Sequence, residues 1–240
     1  MTTLVLGPSL GTTAATCWGP VTDLLRAEFD VVAWELPGHG ADRSAVPDEL
    51  TIADLAQRVV DAVPGPFLYA GDSVGGQVGL QLLLDHPDRV LGAVLCCTGA
   101  RIGTPESWAE RTAQVRGSGT ASLVAATAAR WFAPGFLERQ PDRGAALLHA
   151  LRDTDPAGYV AVCGALARFD VRDRLGEIGR PVVAVAGAHD AVCPPESLRE
   201  IADGVQDGRL VVLDDVAHQA PAEDPQEIAR IVRELAEEVS

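Results

Sequence analysis

A serine between glycines lies in a short motif that is typical of nucleophilic catalysis. The motif, Gly71–Gly75, has the sequence GDSVG and fits the pattern Gly-x-Ser-x-Gly. The apolar run Phe67–Ala70 precedes it, and a helical pattern follows it. A sharp turn from strand to helix strains the serine backbone and projects the hydroxyl above the sheet, while the glycines relieve crowding. The pattern therefore predicts that Ser73 is a nucleophile.

A serine nucleophile needs a general base and a carboxylate that orients the base. His218 lies shortly after the apolar run Leu210–Leu213, and Asp190 lies shortly after the run Val182–Ala186. If both runs are parallel strands, these side chains and Ser73 stand at the same edge of the sheet, where α/β proteins place their sites. We therefore expect Ser73, Asp190 and His218 to form a catalytic triad.

Other titratable residues have simpler explanations. His39 lies in a Pro-Gly-His-Gly loop and is predicted to be structural or to line a pocket. Asp170 and Asp173 are alternative acids, but they lie at the end of a helical region rather than after a strand. Asp72 adjoins the serine, and we expect its side chain to point elsewhere, in a surface or gating role rather than a catalytic one.

Two backbone amides are needed to stabilise the oxyanion that forms during acyl transfer. Val74 directly follows the serine, so its amide is the first expected donor. The second is expected from the loop after the first strand, Gly7–Thr13, where we choose Leu10. The alternative is that this loop is only a glycine-containing turn.

Short apolar runs rich in β-branched residues alternate with longer helical patterns along the chain. The predicted strands are Leu4–Leu6, Val31–Trp34, Phe67–Ala70, Val90–Cys96, Val182–Ala186 and Leu210–Leu213. Several runs are apolar on both faces, which predicts a parallel sheet with helices on each side. Residues 101–174 carry helical patterns without a strand. We therefore expect an α/β core of residues 1–100 and 175–240 with a helical cap of residues 101–174 inserted in it.

The composition excludes several classes of function. The chain has 34 acidic and 19 basic residues and a net charge of −15, which opposes binding to nucleic acid or anionic membranes. Every basic residue is arginine, which excludes lysine Schiff bases, pyridoxal phosphate enzymes and P-loops. No apolar run approaches the roughly 20 residues of a membrane span. The first residues lack the pattern of a signal peptide, so we expect a cytoplasmic protein.

The cysteines give no sign of a metal or redox centre. No two cysteines form a Cys-x-x-Cys pair. The chain has 5 cysteines: Cys17, Cys96, Cys97, Cys163 and Cys193. We interpret them as reduced and mostly buried thiols.

These motifs resemble the α/β-hydrolase superfamily along nearly the whole chain, and within it the 3-oxoadipate enol-lactonases of the β-ketoadipate pathway. The order serine, aspartate, histidine is that of α/β hydrolases. The superfamily resemblance is carried by Ser9–Thr12, Trp34–Gly40 and Gly71–Gly76. The lactonase resemblance is carried by Thr98–Gly103, Ser107 and Trp108 with Arg111, and Arg130–Pro134.

The resemblance implies a carboxylic ester hydrolase that opens a small carboxylate-bearing enol-lactone through an acyl-enzyme, without metal or cofactor. Arg130 and Arg111 are the candidates for binding the substrate carboxylate, and Trp108 and Trp131 for apolar walls. The net negative charge opposes an anionic substrate, but salt screens that field beyond about 8–10 Å. One arginine at contact distance can therefore prevail.

Two other functions remain open at this point. A general carboxylesterase or a cofactor-free perhydrolase would use the same triad. A ligand sensor would keep the fold and turn over slowly or not at all.

The chain departs from the resemblance at its start. Such enzymes usually begin with a two-strand hairpin before the oxyanion loop, whereas here that loop starts six residues after Met1. We therefore expect an all-parallel sheet of six strands with Val31–Trp34 at one edge. A bare edge exposes unpaired backbone groups, so we expect it to be covered, or paired in a homodimer. A misassigned start codon is the alternative explanation.

Overall fold

The computed structural model describes residues 1–42, 44–47 and 49–239. Within them, six strands form one sheet: β1 (Thr2–Gly7), β2 (Phe29–Ala33), β3 (Phe67–Asp72), β4 (Val90–Cys96), β5 (Val182–Gly187) and β6 (Gly208–Leu213). The strand order is β2-β1-β3-β4-β5-β6, and every neighbouring pair is parallel. The predicted α/β fold, with a six-stranded parallel sheet and β2 at an edge, is confirmed.

The described residues also form helices between and after the strands. The α-helices are α1 (Ala14–Leu25), α2 (Ile52–Ala62), α3 (Val74–Asp85), α4 (Pro105–Ser118), α5 (Val124–Trp131), α6 (Phe136–Arg139), α7 (Pro141–Asp153), α8 (Pro156–Arg168), α9 (Pro195–Gly204), α10 (Ala220–Glu223) and α11 (Pro225–Glu238). Two 3₁₀ helices span Thr120–Leu123 and Arg172–Glu177. None of these described helices is long and apolar enough to span a bilayer.

The sheet is buried on both faces because neighbouring strand residues point to opposite sides. In β1, Leu4 and Leu6 pack in the apolar cluster that includes α1 and α11. Val5, between them, packs in the other cluster, which includes α2, α3 and α9. The central strands β3 and β5 are buried at every position, which explains their continuous apolar runs.

The second predicted strand is shifted. Trp34 was expected inside it, but β2 ends at Ala33. The amide of Trp34 still donates to the carbonyl of Leu6 at 3.2 Å. Hydropathy alone does not distinguish the last paired residue of an edge strand from the first residue beyond it.

All regular elements between β4 and β5 are helical. We call residues 105–177, from α4 to the second 3₁₀ helix, the helical segment. Within it, α4 packs against α8, and α7 packs against the first 3₁₀ helix. A Cβ atom at Gly158, in α8, would overlap the carbonyl oxygen of Pro37, so the segment lies directly on the loop after β2. This contact places the segment over the carboxyl ends of the strands.

Candidate active site

The backbone of Ser73 is held in a strained turn between β3 and α3. Its φ of 55° and ψ of −115° lie in a region that L-residues rarely adopt. The amide of Ser73 donates to the carbonyl of Cys96 at 2.9 Å, and the Thr98 hydroxyl donates to the Ser73 carbonyl at 2.6 Å. The chain after β4 therefore fixes both backbone groups of the serine.

Two glycines allow this turn to form. A Cβ atom at Gly71 would overlap the carbonyl oxygen of Gly75, and one at Gly75 would overlap the carbonyl oxygen of Gly7. The first overlap lies within the turn. The second joins the start of α3 to the loop after β1. Glycine at position 75 thus lets the loop that carries Leu10 approach Ser73.

The structure brings Ser73, His218 and Asp190 together. His218 Nε2 lies 3.1 Å from Ser73 Oγ, and His218 Nδ1 lies 2.8 Å from Asp190 Oδ2. The other carboxylate oxygen, Asp190 Oδ1, accepts from the amides of Val192 at 2.7 Å and Cys193 at 3.0 Å. All three predicted residues are buried, with 7% or less of each exposed. The arrangement can move a proton from the serine hydroxyl to an imidazole that a carboxylate orients.

The loop after β1 carries Leu10, the second expected oxyanion donor. Leu10 lines the same cavity as Ser73. Its amide has no backbone acceptor in the part of the chain that the structure describes. The amide of Val74 is the first of α3 and so lacks an acceptor inside that helix. Two amides are thus available next to the serine, and the start of α3 adds its favourable dipole.

His39 holds the loop after β1 in place. Its Nε2 accepts from the amide of Gly11 at 3.1 Å, and its Nδ1 lies 2.9 Å from the carbonyl of Pro37. Burial lowers the pKa of His39 to about 4, so the ring is neutral and donates from Nδ1. This residue is therefore structural, which is one of the two predicted roles.

A cavity of about 160 Å³ opens onto the serine and reaches into the helical segment. Its walls include all four residues that were predicted to contact substrate: Trp108, Arg111, Arg130 and Trp131. The indole Nε1 of Trp108 donates to the carbonyl of Ile102 at 2.7 Å, which fixes that ring. Trp131 is buried, with 7% of its surface exposed.

The two arginines of the cavity differ in their surroundings. Arg111 is half-buried, whereas Arg130 is exposed. Burial raises the pKa of Tyr159, and the positive charge of Arg111 opposes that rise. Within the described residues, neither arginine forms a salt bridge with a carboxylate of the chain. Both guanidinium groups are therefore available to an anionic ligand.

The expected surface position of Asp72 is wrong. Its side chain is fully buried, and neither carboxyl oxygen has a hydrogen-bond partner among the described residues. Because β3 lies inside the sheet, both of its faces are covered, and a residue that points away from the serine points into the core. Burial, and then the charges of Asp190 and Glu223, raise the pKa of Asp72 well above its ordinary value. The neutral acid is therefore favoured.

The alternative acids lie apart from this chain of hydrogen bonds. Asp170 is exposed and pairs with Arg172 at 2.7 Å, and Asp173 is exposed.

All five cysteines are free and buried, as predicted.

One group of side chains has the spacing of a metal site. Ligand atoms of Asp190, Cys193 and His218 lie within 4.8 Å of one another. Asp190 and His218 are already bonded to each other, and burial raises the pKa of the Cys193 thiol well above its ordinary value. This chemistry fits a hydrogen-bonded triad better than a metal centre, because a thiol must lose its proton to bind a metal.

Sequence reasoning missed Glu223. Its carboxylate accepts from the amides of Ala217 at 3.0 Å and Gln219 at 3.2 Å, on either side of His218. It also accepts from the amide of Ala133 at 2.7 Å, in the helical segment. The only local signal was an acidic residue five positions after the histidine.

Comparison with known proteins decides the family. The sequence model of the alpha/beta hydrolase family matches residues 4–231. The chain belongs to this family. The 3-oxoadipate enol-lactonase 2 of Acinetobacter baylyi is 31% identical to this α/β hydrolase over 228 residues, covering 93% of this chain and 84% of that protein. The pimeloyl-[acyl-carrier protein] methyl ester esterase of Neisseria meningitidis is 29% identical over 223 residues, covering 90% and 86%.

A solved structure supports the same assignment. The crystal structure of the enol-lactonase from Burkholderia xenovorans LB400 matches this α/β hydrolase with a TM-score of 0.92 and 31% identity. The match covers 98% of this chain and 91% of that one. Relatives of this α/β hydrolase differ in their named substrates, so the family alone does not determine the substrate.

Proposed function

We propose that this α/β hydrolase is a serine-dependent carboxylic ester hydrolase that opens a small carboxylate-bearing enol-lactone. The observation that carries the proposal is the hydrogen-bonded series Ser73, His218 and Asp190. It opens onto a cavity whose wall includes Arg111. The series supplies a nucleophile, a base and an orienting acid. The arginine supplies a cation for the substrate carboxylate. The likeness to 3-oxoadipate enol-lactonases supports the same substrate class.

The first half of the reaction forms an acyl-enzyme. His218 Nε2 takes the proton of the Ser73 hydroxyl as Oγ attacks the ring carbonyl carbon. The carbonyl oxygen becomes an oxyanion, which the amides of Leu10 and Val74 stabilise. Asp190 holds the imidazole in orientation and stabilises its cation. The ring C–O bond then breaks, and the enolate oxygen leaves with the electron pair.

The second half releases the acid. The enolate takes the proton from the imidazolium and tautomerises to the ketone. Water then attacks the ester carbonyl of the acylated Ser73, while His218 removes a proton from that water. The tetrahedral intermediate collapses, Ser73 recovers its proton from His218, and a second carboxylate appears on the product. An enolate is a good leaving group, so ring opening needs little help from an acid.

Arg111 is the better of the two arginines for holding the substrate carboxylate. It is half-buried in the cavity wall, whereas Arg130 is exposed to water. Water and salt weaken the attraction of an exposed cation more than that of a partly buried one. The planar guanidinium can also bind a carboxylate through two parallel hydrogen bonds. Arg130, in the same cavity, adds to the positive potential.

The experiment compares an anionic substrate with a neutral one. Values of kcat/KM are measured for 3-oxoadipate enol-lactone and for its methyl ester, with the wild type, Arg111→Gln and Arg130→Gln. Loss of a hydrogen-bonded charge pair costs about 1.5–3 kcal/mol, which corresponds to about 10- to 100-fold. We expect Arg111→Gln to lose that factor on the acid alone and Arg130→Gln to lose less.

Three results would contradict the proposal. Equal losses on both substrates would remove the role of Arg111. A wild type that prefers the neutral ester would instead support a general carboxylesterase, and tight binding of the lactone with negligible turnover would support a ligand sensor.

A further inference from the structure

The carboxylate of Glu223 joins the loop of the histidine to the helical segment. Glu223 Oε1 accepts from the amides of Ala217 and Gln219 at 3.0 and 3.2 Å. Glu223 Oε2 accepts from the amide of Ala133 at 2.7 Å. The residue lies at the end of α10 and is half-buried. Both oxygens are therefore committed to backbone donors from two parts of the chain that lie far apart in sequence.

The contacts of Glu223 form a junction between the loop of His218 and the helical segment, and the backbone amide of His218 adds to it. The amide of His218 donates to the carbonyl of Trp131 at 3.1 Å. Three successive amides, at positions 217, 218 and 219, are thus bound by two acceptors, one of which lies in the helical segment. The Cys97 thiol also donates to the carbonyl of Ala217 at 3.2 Å. The backbone around the imidazole is consequently fixed from several sides.

We propose that Glu223 is a positioning residue that holds His218 against Ser73 and couples its placement to the helical segment. The inference rests on the proposed function, because it assigns His218 as the base. Trp131 contributes its indole to the cavity wall and its carbonyl to the His218 amide. Ala133 follows two residues later and binds Glu223. A ligand that packs against Trp131 therefore acts on the segment that fixes the base.

The charge of Glu223 also acts on the base. Burial raises the pKa of Glu223, while its three amide donors and the nearby His218 oppose that rise. An ionised carboxylate beside the His218 backbone stabilises the positive charge that the imidazole acquires when it takes the serine proton.

A carboxylate is required here rather than an amide. Both oxygens of Glu223 accept from backbone N–H groups, and a glutamine has only one acceptor oxygen. In Glu223→Gln, the amino group must face either Ala133 or the pair of amides beside His218. That substitution therefore breaks one side of the junction and removes the charge with little change in size.

The test compares Glu223→Gln with Glu223→Asp and with Glu237→Gln, which makes the same charge change at an exposed position of α11. We expect Glu223→Gln to lower kcat about 10- to 100-fold with KM within about twofold, because the base is displaced while the cavity wall remains. Glu223→Asp keeps both acceptor oxygens on a shorter side chain, so its kcat should also fall, but by less. Glu237→Gln should match the wild type in kcat and KM.

Hydrogen exchange separates this proposal from the proposed function. We expect faster amide exchange in Glu223→Gln on the side that its amino group faces, either at residues 217 and 219 or at residue 133, whether or not a substrate is turned over. Unchanged exchange there would overturn the junction. A kcat equal to that of the wild type, with only a lower Tm, would reduce Glu223 to a structural residue. If Glu223→Gln does not fold, wild-type kcat in Glu223→Asp would likewise overturn the proposal.

Discussion

His39 Nε2 accepts a hydrogen bond of 3.1 Å from the backbone amide of Gly11, the residue after Leu10. The bond needs a neutral ring, because a protonated imidazole has no acceptor nitrogen. The His39 ring also stacks on Tyr159, with 6.4 Å between the ring centroids. A buried imidazole thus ties the loop after β1 to the loop after β2 and to α8.

Acid should weaken the fold through His39. Its pKa falls from 6.5 to about 4 on folding, so the unfolded chain binds more protons between these values. The free energy of unfolding contributed by the neutral ring is therefore complete above pH 6.5 and is lost as the pH falls towards 4. The loss reaches about 3 kcal/mol at most. Urea denaturation at pH 7 and pH 4.5 measures it in the wild type and in His39→Gln.

The difference between the two proteins isolates the effect of His39, because every other titratable group is present in both. We expect His39→Gln to be less stable than the wild type at pH 7 and to lose less stability on going to pH 4.5. Equal losses in the two proteins would contradict the assignment of a neutral, buried His39.

The stability that Asp72 contributes should depend on pH in the opposite direction. Its pKa is raised well above 3.8 by burial, so the folded chain binds the proton more tightly than the unfolded chain. The contribution of Asp72 to the free energy of unfolding is therefore greatest below pH 3.8 and falls as the pH rises towards its raised pKa. Asp72→Asn keeps the shape and the neutrality of the acid but does not titrate. We expect the variant to be more stable than the wild type at pH 8 by at least about 1 kcal/mol.

Chemical denaturation of both proteins at pH 5 and pH 8 checks this. The stabilisation by Asp72→Asn should be larger at pH 8 than at pH 5. A variant that is less stable than the wild type at pH 8 would show that Asp72 is ionised and paired in the fold.

Gly75→Ala should damage activity through the oxyanion loop. The added methyl group would overlap the carbonyl oxygen of Gly7 and would lie 2.9 Å from that of Pro8, so the loop that carries Leu10 must move. Loss of one oxyanion donor costs about 10²- to 10³-fold in kcat, and we expect a loss of about 10²-fold. Steady-state kinetics on a neutral ester measures it without the influence of the arginines.

Gly117→Ala is the matched control. Gly117 is a helical glycine in α4 with open space where a Cβ atom would lie. Alanine there should leave kcat unchanged and stabilise the helix by up to about 1 kcal/mol. Unchanged kcat in Gly75→Ala would mean that the loop after β1 does not depend on this close approach.

Much of the site could be predicted from the sequence because a parallel sheet gathers the carboxyl ends of its strands at one edge. Ser73 directly follows β3, Asp190 follows β5 and His218 follows β6, so the positions of three apolar runs were enough to bring them together. The Gly-x-Ser-x-Gly pattern then identified the strained turn. These signals are local, or depend only on the order of the strands.

The rest depended on contacts that no local pattern records. Glu223 reaches the amide of Ala133 across 90 residues, and this contact exists only because the helical segment folds back over the sheet. The burial of Asp72 follows from the internal place of β3 in the strand order. The exposure of Arg130 and the partial burial of Arg111 follow from how α4, α5 and α8 pack.

Acylation of Ser73 is the most direct test of the central claim. The enzyme is mixed with p-nitrophenyl acetate, quenched in acid within the first turnovers, digested and analysed by mass spectrometry. We predict an acetyl group on the peptide that contains Ser73 in the wild type. Ser73→Ala should carry none and should lose at least about 10³-fold in kcat. An acetyl group on another residue, or turnover by Ser73→Ala at the wild-type rate, would contradict the account.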